Sequence, residues 1–294
     1  MKLVQTIPGN RTPGSSMDID VSGIRATKNI DGFGEKDDIF PAQSKIRLEP
    51  ISYAFDATLF VGGTMKSDQE LFAKGLATYQ KVVVANYMAH REVYETLRHT
   101  LLDEVIDEFV FADLACGTAP GSASALTGTP FARYIGVDIS QESLDVAKQA
   151  LAPLTCPVEL RCEDFVAAID SWKGPLDVVW IGQSLHHLLA HDKVTLMRKI
   201  RDLLPPGGLF MIWEPTRLEG EDREGWLERF HQVRPEWSGV TDEEFAAFES
   251  HCRASDYSET AATWIRMGHE AGFRTADELM IVPNRLARVY RFRN

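Results

Sequence analysis

The chain has 294 residues, a formal net charge of −12, 44% hydrophobic residues and 25% charged residues. This length can bury a sizeable core, and the composition is ordinary for a soluble globular protein. The negative charge argues against a nucleic-acid-binding protein, which would have to neutralise phosphates. The four cysteines include no C-x-x-C pair, so neither a metal site nor a disulfide framework is indicated.

The sequence shows neither a membrane-spanning segment nor a signal peptide. No apolar run approaches the roughly 20 residues that cross a bilayer. The first residues, MKLVQTIPGNRTPGSS, lack the apolar segment of a signal peptide. We therefore expect a cytoplasmic protein that does not act at a membrane.

The first third of the chain differs from the rest. Residues 1–50 are rich in Gly, Pro, Ser, Asp and Lys, which predicts a loosely ordered N-terminal extension. Residues 51–108 then form a predicted helical cap, because apolar residues recur at near-helical spacing over 67–107. That stretch is too long for one ordinary helix, so two or three helices are expected.

From residue 109 onwards, strand-like and helix-like segments alternate. The predicted strands are 109–115, 134–140, 158–165, 175–184 and 209–215, followed by a hairpin of 273–282 and 285–293 joined by Pro283-Asn284. Such alternation predicts an α/β fold, a doubly wound, mostly parallel seven-stranded sheet with a C-terminal antiparallel hairpin. The core domain would span 109–294, with a helical insertion at 216–258 in which Thr241 and Glu244 have the spacing of a capping box.

The turn after the first strand, DLACGTAPGS, has the small residues of a loop that approaches a ligand closely, among them Gly117 and Gly121. A dinucleotide-binding loop needs G-x-G-x-x-G, but that register reads Ala115, Gly117 and Pro120 here. Asp113 is also an anion where a pyrophosphate would approach. The turn therefore favours a cationic or zwitterionic ligand such as S-adenosylmethionine over a nicotinamide dinucleotide.

Five short motifs occur along the chain in an order that is typical of one enzyme family. They are D-L-A-C-G-T-A, Y-I-G-V-D-I-S, R-C-E-D-F, L-D-V-V-W-I-G-Q-S-L-H-H-L and L-L-P-P-G-G-L-F-M-I. Together they resemble the class I (Rossmann-like) S-adenosylmethionine-dependent methyltransferases over residues 109–215, and residues 259–294 resemble the closing helix and hairpin of that family. The resemblance implies S-adenosyl-L-methionine as the cofactor.

The resemblance also implies roles for individual residues. The methionine part of the cofactor would contact Asp113, Ala115 and Gly117. Asp138, which follows Gly117 by 21 residues, would bind the ribose hydroxyls, a spacing that suits one βαβ step. The adenine would lie near Ile139, Asp164 and Phe165, and Gln183 and Ser184 would face the sulfonium. Taken alone, either Asp138 or Asp164 would more often be a turn or cap residue.

The methyl acceptor is predicted from what the fourth strand lacks. Nucleic-acid enzymes that methylate amino groups end this strand in N/D-P-P-aromatic, whereas this chain has Ile181-Gly182-Gln183-Ser184. A small-molecule acceptor, methylated on oxygen or nitrogen, is therefore expected. A base is needed only if that acceptor must lose a proton. His187 is the first candidate for it, because it matches a His-Leu position that some small-molecule methyltransferases use, and His186 is the second. The alternative is that both histidines cap the next helix or line the cleft.

Acceptor contacts are expected outside the core. The candidates are Glu214, which suits a cationic acceptor, Tyr87 and Arg91 in the helical cap, and Trp226 and His231 in the insertion. Three other functions remain open. They are a non-catalytic S-adenosylmethionine-binding regulatory protein, a tRNA-modifying methyltransferase, which the charge disfavours, and an NAD-dependent oxidoreductase. Neither the acceptor nor the oligomeric state follows from the sequence.

Overall fold

The computed structural model describes residues 68–105 and 107–294. The predictions for residues 1–50 and for the first part of the helical cap lie outside these residues. The cap contributes two described helices, α1 (Asp68–Val84) and α2 (His90–Glu104). The turn between them contains Asn86 and Ala89 in left-handed backbone conformations, with φ of 60° and 62°, and this turn is what divides the long helical pattern.

The remaining elements alternate as predicted. The strands are β1 (Phe109–Leu114), β2 (Phe131–Asp138), β3 (Val158–Cys162), β4 (Val178–Gly182), β5 (Leu209–Arg217), β6 (Glu259–Thr260), β7 (Thr275–Ile281) and β8 (Ala287–Arg293). The helices are α3 (Pro120–Leu126), α4 (Gln141–Leu151), α5 (Phe165–Asp170), α6 (Ala190–Leu203), α7 (Arg223–Gln232), α8 (Asp242–Ser255) and α9 (Ala261–Ala271). No helix within the two described ranges is long and apolar enough to cross a membrane.

The sheet has the order β3-β2-β1-β4-β5-β8-β7, with β6 paired to β5. Strands β1 to β5 are parallel, and β8 runs antiparallel to both β5 and β7. The predicted α/β fold with a C-terminal antiparallel hairpin is therefore confirmed. The chain adds β6, which the sequence did not predict because a two-residue strand leaves no alternating pattern.

Apolar side chains cover both faces of the sheet. On β1, Phe109 and Phe111 belong to one buried cluster with residues of α2, α3 and α4, whereas Ala112 and Leu114 belong to another with residues of α5, α6 and α9. The insertion has a third cluster of its own, built on α7 and α8. The predicted capping box of Thr241 and Glu244 is present at the start of α8.

A buried lysine connects α6 to the segment that leaves the insertion. Lys193 has 0% side-chain exposure, and its ammonium donates to the Tyr257 carbonyl and, over 2.8 Å, to Glu259 Oε1. It also lies 5.1 Å from the centroid of the Trp264 ring. Because a buried charge is costly without a partner, this contact set fixes residues 257–259 against the core.

Replacing Lys193 should therefore be costly. We expect Lys193→Ala to lower the free energy of unfolding by about 3–5 kcal/mol, because it leaves the buried Glu259 with the more distant Arg217, 3.8 Å away, as its ionic partner. The control is Lys199→Ala in the same helix, whose pair with Asp170 is exposed and should be worth less than about 1 kcal/mol. Urea denaturation of both variants measures the difference. Equal losses of unfolding free energy in the two variants would contradict the stabilising role of the buried Lys193.

The turn after β1 is unusual in its backbone. Ala115, Gly117 and Ala119 all have positive φ, at 58°, 54° and 57°. This conformation costs an alanine about 1–2 kcal/mol because of its Cβ. Gly121 has a different reason to lack a side chain, since a Cβ there would meet the ring of Tyr94 in α2 at 2.1 Å. The close approach expected at Gly121 is therefore to the cap and does not involve a ligand.

The left-handed alanine leads to a second prediction. Ala115→Gly should raise the free energy of unfolding by about 0.5–1 kcal/mol. A glycine removes the strain of the left-handed conformation, and this gain outweighs the added entropy of the unfolded chain. Ala123→Gly in α3 is the matched control and should instead lower it by about 1 kcal/mol. Both values come from chemical denaturation of the ligand-free chain. Destabilisation by Ala115→Gly would show that the methyl group packs usefully.

Candidate active site

Four turns lie side by side along one edge of the sheet. They follow β3, β2, β1 and β4, which are neighbours in that order. Backbone bonds join them, since the Cys116 amide donates to the Val137 carbonyl over 2.9 Å and the Glu163 amide donates to the Asp138 carbonyl over 3.1 Å. Ligands of open α/β sheets bind at this carboxyl edge, where the strand order reverses.

Asp138, the last residue of β2, organises the turn. Its Oδ2 accepts the Gly117 amide over 2.8 Å, and its Oδ1 accepts the Ser140 amide over 2.8 Å. Burial raises the pKa of Asp138, and these two bonds oppose that shift. Each oxygen accepts one bond from the backbone, so each retains a lone pair for a further donor. The side chain is only partly buried, which leaves it within reach of a ligand.

The next two turns hold the residues expected around adenine. Ile139 is 48% exposed, an unusual position for a large apolar side chain. Asp164 caps α5, and its Oδ1 accepts the amides of Val166 and Ala167, so Oδ2 is left over. Phe165 is buried in the core and can offer no more than an edge. Asp164 therefore acts as a cap, and its second oxygen still allows a ligand bond.

Glu214 of β5 shapes the turn after β4. Its carboxylate accepts the amides of Ser184, Leu185 and His186 over 2.9–3.2 Å, and it lies 2.6 Å from His186 Nδ1. Gln183 is left-handed, with a φ of 57°, and its amide donates to the Trp213 carbonyl. Glu214 is 0% exposed, so the prediction that it binds a cationic acceptor is wrong. Its oxygens serve the turn instead.

Asp113 stands behind the loop. It is buried, and its Oδ2 accepts the Tyr134 hydroxyl over 2.8 Å. Burial raises the pKa of Asp113 to about 7, in spite of this hydrogen bond. In this position Asp113 supports the loop through Tyr134, and a direct contact with the methionine part would require the loop to open.

The two histidines are in different electrostatic states. Burial opposes protonation of His186, but Asp256 and Glu214 outweigh it and raise its pKa to about 9. Burial, together with the nearby charge of His186, lowers the pKa of His187 to about 3. His186 is therefore a buried cation that cannot take up a proton at neutral pH. His187 is neutral and partly exposed, and its Nδ1 lies 3.3 Å from the Ser255 carbonyl.

Asp256 is the residue that sequence reasoning missed. It directly follows α8, and its Oδ1 lies 3.4 Å from His186 Nε2 and 3.5 Å from His187 Nδ1. Burial would raise its pKa, but the charge of His186 lowers it to about 2. No sequence pattern links an acid at the end of a helix to a histidine pair about 70 residues earlier in the chain, so only the folded structure brings them together.

The other predicted acceptor contacts are dispersed. Trp226 is buried in the insertion cluster and its indole N–H donates to the Leu286 carbonyl, so its assignment to the acceptor is wrong. His231 is exposed and pairs with Glu249, and Arg91 is exposed on α2. Tyr87 stacks on Trp237 and lines a cavity of about 400 Å³.

The burial of Asp113 predicts a pH dependence. Its pKa in the folded chain, about 7, exceeds the ordinary value of 3.8, so its contribution to stability is complete below about pH 4 and is lost as the pH rises to about 7. Across that range, wild type should lose up to about 4 kcal/mol relative to Asp113→Asn, whose amide still accepts from Tyr134. Urea denaturation of the ligand-free proteins from about pH 4 to about pH 8 measures the difference. Parallel pH profiles would refute it.

Comparison with known proteins agrees with this geometry. Residues 111–208 match the family model described as a methyltransferase domain. A carboxy-S-adenosyl-L-methionine synthase of Marinobacter nauticus is 25% identical over 165 residues, which is 55% of this chain and 65% of that protein. A trans-aconitate 2-methyltransferase of an Azoarcus species is 30% identical over 115 residues, 38% of this chain and 42% of that protein. The chain thus spans less than two thirds of the length of these relatives.

A solved structure gives the same picture of the fold. The apo form of the S-adenosylmethionine-dependent methyltransferase SibL aligns with a TM-score of 0.51 and 17% identity, covering 78% of this chain and 60% of that one. The matched family model, the order of the strands and the turns at the carboxyl edge of the sheet are all consistent with a methyltransferase domain. Residues 111–208 therefore match a methyltransferase domain, and the fold of the chain is similar to that of SibL.

Proposed function

We propose that this chain binds S-adenosyl-L-methionine and transfers its methyl group to an oxygen or nitrogen of a small-molecule acceptor. The observation that carries the proposal is the acidic edge at β2 and β3. There Asp138 keeps one unused lone pair on each oxygen, and Asp164 keeps Oδ2 without a partner among the described residues, close to the exposed Ile139. Neither carboxylate forms an ion pair with another described residue, which suits a ligand that brings hydroxyls, an amino group and a positive charge.

The residues of this edge fit the parts of the cofactor. Asp138 would accept the ribose hydroxyls with the lone pairs that the backbone leaves free. Ile139 would cover a face of the adenine, and Asp164 would accept the adenine amino group through Oδ2. The loop of Ala115 and Gly117 would border the methionine part, with Gln183 and Ser184 on its other side. Phe165 and Asp113 would support these contacts from the core.

The bound cofactor supplies an electrophilic methyl group on a sulfonium, and the protein's task is to orient the acceptor and exclude water. Among the predicted bases, His187 is the one whose ring is neutral and partly exposed, and its Nε2 makes no hydrogen bond to the described residues. Its low pKa makes it a weak proton acceptor. We propose that His187 orients an acceptor hydroxyl or amine by accepting its hydrogen bond. His186 holds the turn and takes no part in proton transfer.

A second candidate function comes from the relatives. Three of the most similar curated proteins are carboxy-S-adenosyl-L-methionine synthases, 25% to 30% identical to this chain. Their name describes formation of a carboxylated cofactor, a reaction that would use the same cofactor edge. Mass spectrometry of the nucleoside product separates the two activities, because methyl transfer releases S-adenosylhomocysteine and carboxylation yields a heavier sulfonium.

Binding of S-adenosylhomocysteine tests the shared premise. We expect wild type to bind it in isothermal titration calorimetry and Asp138→Ala to bind at least about tenfold more weakly, since a lost bond to the ribose hydroxyls is worth at least about 1.4 kcal/mol. Asp145→Ala on α4 is the control, because Asp145 is exposed and its side chain bonds to Lys148 and Gln141 in its own helix. It should bind like wild type.

Three results of the binding experiment would contradict parts of the proposed function. Wild-type protein that shows no binding at millimolar ligand would remove the cofactor assignment altogether. Binding that is unchanged in Asp138→Ala would place the ligand elsewhere on the chain. Tight binding without turnover on any acceptor would leave the non-catalytic alternative in force.

A further inference from the structure

The side chains around Asp256 form a group that methyl transfer does not explain. His186, His187 and Asp256 each direct a ligand atom to one place, and the three atoms lie within 4.8 Å of one another. Asp256 is 5% exposed, yet its Oδ1 has no hydrogen-bond partner among the described residues. The oxygen has ion-pair contacts with the two histidines, but a buried carboxylate oxygen without a good hydrogen bond is costly, and a cation among the three atoms would satisfy it.

The distances favour a metal ion over a hydrogen bond. Asp256 Oδ1 lies 3.4 Å from His186 Nε2 and 3.5 Å from His187 Nδ1, longer than good hydrogen bonds. In a tetrahedral zinc site, bonds of about 2.0–2.1 Å place neighbouring ligand atoms about 3.4 Å apart. The two histidine nitrogens, which lie within 4.8 Å of each other, would still have to come closer. His187, whose side chain is 25% exposed, would have to give up its contact with the Ser255 carbonyl.

The surroundings of His186 complete the pattern. Its other nitrogen, Nδ1, lies 2.6 Å from Glu214 Oε2, and a carboxylate in this position fixes the ring of a metal-bound histidine. The charges also balance. Glu214 and Asp256 are two buried carboxylates on either side of the His186 ring. With a divalent cation and a neutral His186, the charges of Glu214 and Asp256 cancel those of the ion.

From this geometry we infer that His186, His187 and Asp256 bind one divalent cation of the zinc type, with Glu214 orienting His186. Two imidazoles and one carboxylate suit zinc and its first-row neighbours better than magnesium or calcium. Three protein ligands leave a fourth position open, as in catalytic zinc sites. If the proposed function holds, an acceptor oxygen bound there would lose its proton more easily. The ion would then orient the acceptor in place of His187, because a His187 ring bound through Nδ1 carries its proton on Nε2 and accepts no hydrogen bond there.

The test uses untagged full-length protein, stripped with a chelator and titrated with Zn²⁺ by calorimetry, and with Co²⁺ to record its visible absorption. Wild type should bind one ion per chain, and Co²⁺ should show the spectrum of a four-coordinate site. Asp256→Asn and His187→Ala should weaken Zn²⁺ binding at least about 100-fold, the upper end of what the loss of an orienting residue costs. His191→Ala is the control, since His191 is exposed and its ring pairs with its neighbour Asp192.

Each result has one meaning. Absence of stoichiometric Zn²⁺ binding to wild type at micromolar metal would overturn the inference, as would equal affinity in His187→Ala and wild type. If Asp256→Asn fails to fold, His187→Ala still decides, because its partly exposed ring can be removed without opening the core. Binding of S-adenosylhomocysteine is measured on the same stripped samples, so loss of the metal site and loss of the proposed function are seen separately.

Discussion

The buried carboxylate of Glu214 is the constraint on which the functional edge depends. It accepts four hydrogen bonds at once, three from the backbone amides after β4 and one from the ring of His186. Without it, those amides would have no partner in the interior, at a cost of about 1–3 kcal/mol each. The turn that presents Gln183, Ser184 and His187 is therefore held from β5, the neighbouring strand, and its own sequence would not be sufficient.

The same carboxylate links the core to the insertion. His186 is charged because Glu214 and Asp256 lie on either side of it, and Asp256 belongs to the segment that leaves α8. The Tyr257 amide donates to the His186 carbonyl over 2.9 Å, and Lys193 holds the Tyr257 carbonyl and Glu259 a few residues further on. The insertion is therefore attached to the core by these charged and polar contacts and also by its apolar cluster, which includes Leu286 of the turn between β7 and β8 and Val82 of α1.

The loop after β1 shows how the fold uses unfavourable local conformations. Ala115 and Ala119 adopt the left-handed backbone that glycine adopts more easily. The surrounding structure enforces it, because the Gly117 amide is bound to Asp138 and the Ala119 amide to the Cys116 carbonyl. The two alanines thus preserve the path of the loop at some cost in stability, and a missing glycine does not mean a missing turn.

Prediction from sequence succeeded where local patterns carry the information. The parallel strands, the closing hairpin and the cap at Thr241 follow from alternation, turn residues and capping spacing. It was wrong for Trp226 and Glu214, because residue type says what a side chain can do and burial decides whether it is available. An aromatic residue on an insertion helix looks the same in sequence whether it faces a pocket or the helix beside it.

The sequence by itself determined the order of the elements and placed Asp138, Ile139 and Asp164 at successive strand ends, since neighbouring parallel strands bring their carboxyl ends to one edge. Only the tertiary structure decided that Asp113 is enclosed behind Tyr134, and that Asp256 meets a histidine pair from a distant part of the chain. The physical reason is that pKa values, orphaned oxygens and ligand distances depend on what surrounds a group in space. Contacts between residues far apart in the chain leave no local pattern in the sequence.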